Sequence, residues 1–473
     1  MGAGGVCGVS DKTQPSAGQR FLDRLKARDA VRGAEPTWIA ARRQAAAARF
    51  EAIGFPDKRV EQWKYTDVRR IRDGEFALAD DADFSPAQAA ALTLPIEAVR
   101  LSFVDGVFAP ELSDTGALPA GASVEPLTRA LSDNHEAVGA VLGRLTGVEF
   151  SPFAALNTAF AEEGAIIRLA PGTVVETPIL LQFLSRAGEQ PVMSHPRVLI
   201  QAGARSQATV LEHYVGEPAA ANFTNVVAEA VLERGALLTH YTLQESPLDD
   251  LLVRSLQVEQ GRDSRFTSFT VNLGGALVRN DLVADLNAQG AEANYYGLFF
   301  AQGRQHVDNH TLVNHNAPLT FSNENYKGVL GDRARGVFNG KVVVKRDSQK
   351  IEAHQSNANL LLSDRAEIDT KPELEIYADD VKCSHGATTG QLDEDAVFAL
   401  RTRGIDEQTA RGLLTLAFAG EVMEQVGLDA VAERVELTVA GKLPERFNLG
   451  GLVEAALLDE QAFEEVPGHD RND

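Results

Sequence analysis

The sequence predicts a mainly β chain, assembled from many short strands and flanked by helical regions at both ends. Three observations predict it. From about Ala165, apolar and polar residues alternate in short runs, among them Val198-Leu-Ile200, Thr209-Val-Leu211, Ala228-Glu-Ala-Val-Leu232 and Leu237-Leu-Thr-His-Tyr241, which is the period of a strand. Gly203, Gly235, Gly261 and Gly290 punctuate these runs at separations of 32, 26 and 29 residues, in the range of solenoid repeats. On either side of the β segment the period becomes helical. A β-sandwich also has short alternating strands and glycine turns, so this pattern by itself leaves solenoid and sandwich open.

Taken in chain order, residues 1–18 are rich in Gly, Ser, Gln and Pro without apolar periodicity and read as a tail. Residues 19–150 read as an α-rich N-terminal region. Its first stretch, Gln19 to Gly54, sets Phe21, Leu22, Leu25, Trp38, Ile39 and Phe50 among helix-favouring Ala, Arg and Gln, and Gly54 with Pro56 stops it. Residues 151–392 form the β core, in which Asn309, Asn314 and Asn323 are compatible with stacked polar ladders. In the C-terminal helical region, 393–458, Asp393 can cap a short helix and Asp406 a longer one to about Val426, with Leu414, Phe418 and Val422 on one stripe. Residues 459–473 read as an acidic tail.

Composition narrows the function. The chain has 473 residues, 44% apolar and 24% charged, with no apolar run of bilayer length, so a membrane span is not expected. A net charge of −22 repels phosphate backbones and argues against nucleic acid as a partner. The N-terminus lacks a charged n-region followed by an apolar h-region, which predicts a cytoplasmic location. Only Cys7 and Cys383 are present, so a disulfide framework and a CxxC redox pair are excluded.

Two glycine motifs fail on inspection. Gly336-Val-Phe-Asn-Gly340-Lys341-Val342 has one residue too few between its glycines for a phosphate loop, and Val342 stands where a magnesium-binding Ser or Thr is needed. Gly2-Ala-Gly4-Gly5-Val-Cys7 lacks both the third glycine and the preceding strand of a dinucleotide fingerprint. The densest imidazole group is His306, His310 and His315 with Asp308. In a strand His306, Asp308 and His310 share a face and His315 falls on the other, so at most three ligands could converge on a metal, and surface or ladder histidines are the plainer reading. Asp379-Asp380-Val-Lys382-Cys383-Ser-His385-Gly is the sharpest constellation. If extended, it projects Cys383 and His385 from one face about 7 Å apart along the backbone, a thiol and an imidazole able to address one iron, zinc or cluster edge. Lys382 and His385 are also placed to lower the thiol pKa. The alternative is a buried small hydrophobe beside a hydrogen-bonded histidine.

The stretch Lys371-Pro-Glu-Leu-Glu-Ile-Tyr-Ala-Asp-Asp-Val-Lys-Cys383-Ser-His385-Gly-Ala-Thr, with Leu400-Arg-Thr-Arg-Gly-Ile405, resembles the signature of the SufB/SufD family. Asn357-Ala-Asn-Leu-Leu-Leu-Ser363, Val337-Phe-Asn-Gly340-Lys341 and Glu61-Gln-Trp63-Lys-Tyr65-Thr66 add to the likeness, which spans about residues 20 to 430. Gly386 resembles the SufD branch, where the SufB branch carries Glu. The resemblance implies a right-handed parallel β-helix between helical regions, pairing with SufB through the β-helix and binding the SufC ATPase through the C-terminal helices, with Leu414, Phe418 and Val422 as the docking stripe. It also implies a noncatalytic scaffold role in iron–sulfur cluster assembly, with Cys383 and His385 as this chain's share of a transient iron or nascent cluster site completed by SufB. With one thiol outside the tail, the chain cannot supply four ligands, so no tightly bound cofactor is expected on it alone. Reduced flavin in the complex and self-pairing of the isolated chain stay open. The competing classes are a self-pairing SufB-like scaffold, against Gly386 and the missing cysteines, and a β-helical polysaccharide-active enzyme, which would call for export and an acid pair.

Overall fold

A computed structural model describes residues 17–443 except 34, 117, 150 and 219. Cys7, residues 1–16 of the predicted N-terminal tail and the whole C-terminal tail lie outside the described residues, while Ala17 and Gly18 of the predicted tail already open the first helix. The β segment is a parallel solenoid of about eight turns, which decides between the two architectures left open by the pattern. Successive strands of the chain fall alternately in two long sheets, so each pairs in parallel with the strand two positions on. Leu251–Gln260, for example, lies between Phe223–Leu232 and Leu277–Leu286. One sheet ends at Glu367–Ile376 and the other at Val381–Gly390. Strands Val99–Val104 and Ala122–Pro126 already belong to the two sheets, upstream of residue 151.

The corner turns explain the glycine spacing. Gly172, Arg205, Gly235, Asp263, Gly290, Leu319 and Lys350 all have left-handed φ, and backbone bonds such as Arg205 N to Arg234 O (2.9 Å) and Gly235 N to Arg262 O (2.8 Å) stack one corner on the next. Only Gly235 and Gly290 of the four predicted turn glycines hold that conformation. Gly203 and Gly261 sit two places earlier in their turns, where a Cβ would strike the carbonyls of Leu169 at 2.6 Å and Leu232 at 3.0 Å. Equivalent positions therefore recur as 205, 235, 263 and 290, a more even repeat than the glycines alone suggest.

The interior of the solenoid is apolar towards its N-terminal end, where Phe103, Phe183 and Tyr214 stack at 5.4 and 4.8 Å, and grows polar further along. Asn309 lies in register with Asn280 and accepts its amide at 3.1 Å, and Asn314 donates to Asp285 at 2.8 Å, so ladders of stacked polar side chains do form. Deep inside, Arg254 donates to Glu212 at 2.7 and 2.9 Å, with His240 at 3.0 Å. Burying this group is tolerable only because every charge is paired.

Both outer faces are covered. Helices Ala17–Asp29 and Thr37–Ile53, separated at Pro36 where one longer helix was expected, bury Phe21, Leu25 and Phe50 together with Trp63 and Phe153 against Phe223, Leu251 and Leu277. Helices Glu407–Met423 and Asp429–Lys442 bury Val422, Val431, Val435 and Val439 against Leu243, Phe269, Phe300 and Val329 on the other sheet. With apolar cover on the outside as well as a core within, strands such as Ile179–Ser185 are buried on both faces, which blurs their alternation in sequence. Asp393 and Asp406 cap their helices as expected, accepting from Asp395 N and from Gln408 N and Thr409 N. No helix among the described residues is long and apolar enough to cross a membrane.

Candidate functional site at the open end of the solenoid

Strand Val381–Gly390 is the last of its sheet: it pairs with Ile351–Leu361 on one side, and no described strand lies on the other. Cys383 stands opposite Ala353 and His385 opposite Gln355. Two residues apart in one strand, they share the inward face, as the sequence predicted. Cys383 is half-buried against the end of the solenoid core, whereas His385 is exposed. Burial raises the Cys383 thiol pKa above its ordinary value. The expected lowering by Lys382 is not realised. Lys382 points to the opposite face and donates to Glu352 at 2.5 Å, leaving the thiol without a cationic neighbour on that side. The arrangement is therefore a protonated thiol and an accessible imidazole on an edge whose backbone groups are free to pair with another chain.

The histidine group resolves differently. His306, Asp308 and His310 do share a face and His315 lies on the other, buried between Thr320 (2.7 Å) and Ser322 (2.9 Å). Asp308, however, is taken up by Arg279 at 2.6 Å, by His310 at 3.0 Å and by the hydroxyl of Thr66, which also meets His306 at 2.9 Å. Arg279 in turn donates to the carbonyl of Gln62 at 2.7 Å and lies 4.1 Å over the Trp63 ring. The segment Glu61-Gln-Trp63-Lys-Tyr65-Thr66 is thus clamped to the solenoid wall, and these histidines belong to the clamp. Among the described residues no group of three or more His, Cys, Asp or Glu is placed to hold a metal ion. Sequence reasoning does not single out Arg279; the charged and polar run Arg279-Asn280-Asp281 inside strand Leu277–Leu286 is the available signal.

The glycines of the rejected phosphate-loop motif have a packing role instead. Gly340 lies within strand Arg335–Val344, where a Cβ would come within 2.1 Å of the Gln355 amide and 2.8 Å of the Phe338 ring. Of the predicted docking stripe, Val422 is buried and Phe418 lies with its ring 4.4 Å from the Lys327 ammonium, both turned onto the chain's own solenoid; Leu414 is partly exposed. Large apolar side chains on the C-terminal helices that do face solvent are Phe398, 65% exposed, and Leu437, 70% exposed.

Comparison with known proteins bears on this architecture. The SUF system FeS cluster assembly SufBD core domain matches residues 183–418, and the SufBD protein N-terminal region matches residues 19–181. The chain is 34% identical over 442 residues to an iron-sulfur cluster assembly SufBD family protein of Synechocystis, covering 91% of this chain and 97% of that one. It is 32% identical over 400 residues to the iron-sulfur cluster assembly protein SufD of Escherichia coli, covering 83% and 90%. It is 26% identical over 408 residues to the chloroplastic protein ABCI7 of Arabidopsis thaliana, covering 85% of each.

Proposed function

Because this chain belongs to the SufBD family of SUF-system iron–sulfur cluster assembly proteins, we propose that it is a noncatalytic scaffold subunit of the SufD kind, pairing with SufB through the open end of its solenoid. The observation that carries this reading is the terminal strand Val381–Gly390, whose outer edge pairs with no described strand and which presents, from one face, Cys383 and His385. Strand addition at such an edge joins two chains by main-chain hydrogen bonds and sets side chains of both beside the junction. One thiol and one imidazole are half of a four-ligand set, and cysteine or carboxylate from SufB would supply the rest.

In this reading iron and sulfide are cargo. The His385 imidazole is the exposed donor of the pair, whereas the Cys383 thiol, held protonated by burial, must release a proton as it binds. Reduced flavin is assigned to no residue of this chain, since Cys383 and His385 stand on a solvent-open edge. SufC would dock on the C-terminal helices, where Phe398 and Leu437 are the apolar side chains left uncovered. The test is reconstitution with SufB and SufC. Cys383→Ala and His385→Ala should each leave the complex assembled but slow cluster formation, His385→Ala the more strongly, because His385 is the exposed donor and the Cys383 thiol is half-buried. Normal cluster formation by both variants would reduce the pair to a structural motif.

A further inference from the structure

Far from the open end, the helical layer over the first turns forms a partly open cavity of about 50 Å³. Trp38, Ile39, Leu127, Leu131 and Leu142 make its lining mostly apolar, and the side chains of Arg42, Arg43 and Arg197 also reach it. Their charges are unevenly answered. Arg43 donates to Glu35 at 3.0 Å and Arg197 to Glu229 at 2.7 Å. Glu229 is already saturated, accepting the N–H groups of Gly143 at 2.6 Å, Leu145 at 2.7 Å and Thr146 at 3.0 Å. Among the described residues Arg42 bonds to the backbone carbonyls of Leu142 and Gly139, stacks 4.9 Å from the Trp38 ring and is in no ion pair with a carboxylate. The lining therefore carries one surplus positive charge.

Arg42 and Arg197 also converge. A Cβ built on Gly143 would lie 3.5 Å from Arg42 Nη1 and 3.7 Å from Arg197 Nη2, so both guanidiniums approach one point. Two buried donors of the lining residues, Arg197 Nε and Trp38 Nε1, have no acceptor, although Arg197 is only 3% exposed. Burial pushes the Arg42 pKa down; the Glu229 carboxylate opposes that and the like charge of Arg197 adds to it, a cost that a further anion beside the pair would relieve. At roughly 10–15 Å³ per water-sized volume, the cavity admits a molecule of only about three to five heavy atoms.

We propose that this cavity binds a short-chain monocarboxylate, its carboxylate held by Arg42 and Arg197 beside Gly143 and its alkyl tail against Leu131 and Leu142. A single negative charge matches the surplus, the apolar wall rejects a fully hydrated inorganic anion, and Arg is the side chain suited to a carboxylate. The test is titration of the full chain with propionate, with its neutral isostere propionamide and with chloride at equal ionic strength, read by Trp38 emission and melting temperature. Propionate should give a saturable response at a Kd at least tenfold below that of propionamide. Arg42→Gln should weaken it tenfold or more. Leu131→Phe, which fills the apolar side and leaves every charge in place, should abolish it while circular dichroism stays native. A propionate response no stronger than that of propionamide or chloride, or one retained in Leu131→Phe, overturns the proposal, and the second criterion holds even if Arg42→Gln does not fold.

Discussion

Arg279 and Asp308 occupy paired positions on adjacent strands, and their side chains close a 2.6 Å ion pair shielded from solvent, at 2% and 1% side-chain exposure. The same guanidinium holds the Gln62 carbonyl and faces Trp63, while the same carboxylate takes the Thr66 hydroxyl, so one pair fastens the N-terminal segment to the wall. Burial alone would raise the Asp308 pKa, but the charges of Arg279 and His310 hold it well below the usual carboxylate range. Removing one partner of a buried pair leaves the other uncompensated, at a cost of about 3–5 kcal/mol. Asp308→Asn should therefore lower the unfolding free energy by about 3 kcal/mol, red-shift Trp63 emission and speed amide exchange in residues 62–66. Because the folded pKa is depressed, this stability is fully present above the unfolded carboxyl pKa of about 3.9 and is lost only as pH falls below it. Urea titrations from pH 8 to pH 3 would check both the size and the pH window.

Glu324 should give the opposite pH dependence. It lies inside the solenoid, 1% exposed, accepting the Thr311 hydroxyl at 2.5 Å, and burial raises its pKa to about 7. With a raised folded pKa, the stability is fully present below the unfolded value near 4.3 and is lost as pH rises through the folded one, by on the order of 3 kcal/mol. Glu163 and Asp250, both raised to about 7 by burial, add slopes of the same sign. Glu324→Gln should remove one share of the decline between pH 5 and pH 8 and be more stable than the parent at pH 8. Parallel stability profiles for variant and parent would refute the assignment.

Much of this was legible in the sequence, and what was not has a physical reason. Period two placed His306, Asp308 and His310 on one face and Cys383 with His385 on another, because strand geometry is local. That Thr66 would meet Asp308 from 242 residues upstream is a long-range fact that no local pattern encodes. The direction of the Phe418 stripe was equally out of reach: an amphipathic helix announces an apolar face without naming what covers it. Here the cover is the chain's own sheet, through Phe269, Phe300 and Val329.

That cover changes how ATPase docking is tested. Lys327 is 5% exposed and donates to the Phe418 carbonyl at 3.1 Å beneath the Phe418 ring. Phe418→Ala should cost about 2–3 kcal/mol by loosening helix Glu407–Met423, so lost SufC binding in that variant would not locate the dock. Phe398 is the cleaner probe. Phe398→Asp should change the unfolding free energy of the isolated chain by no more than about 0.5 kcal/mol and weaken SufC binding at least tenfold by calorimetry. Unchanged binding would rule Phe398 out of a SufC dock.

The open edge can be tested at Gly386. It lies in the middle of the terminal strand, next to His385 and in register with Ser356, and a Cβ built there meets nothing within 4 Å. A side chain at this position therefore costs the isolated chain nothing sterically, and replacing glycine in a strand tends to stabilise it slightly. Gly386→Glu should leave the melting temperature of the isolated chain unchanged or slightly raised. If SufB adds a strand to this edge, the same substitution puts a charge and new bulk at the junction, and Glu opposite an acidic or apolar neighbour is unfavourable. Association with SufB should then weaken at least tenfold by analytical ultracentrifugation, with faster dissociation. A native-like affinity for SufB in a folded Gly386→Glu chain would show that the partner does not pair along Val381–Gly390, and Cys383 and His385 would lose their place at a shared interface.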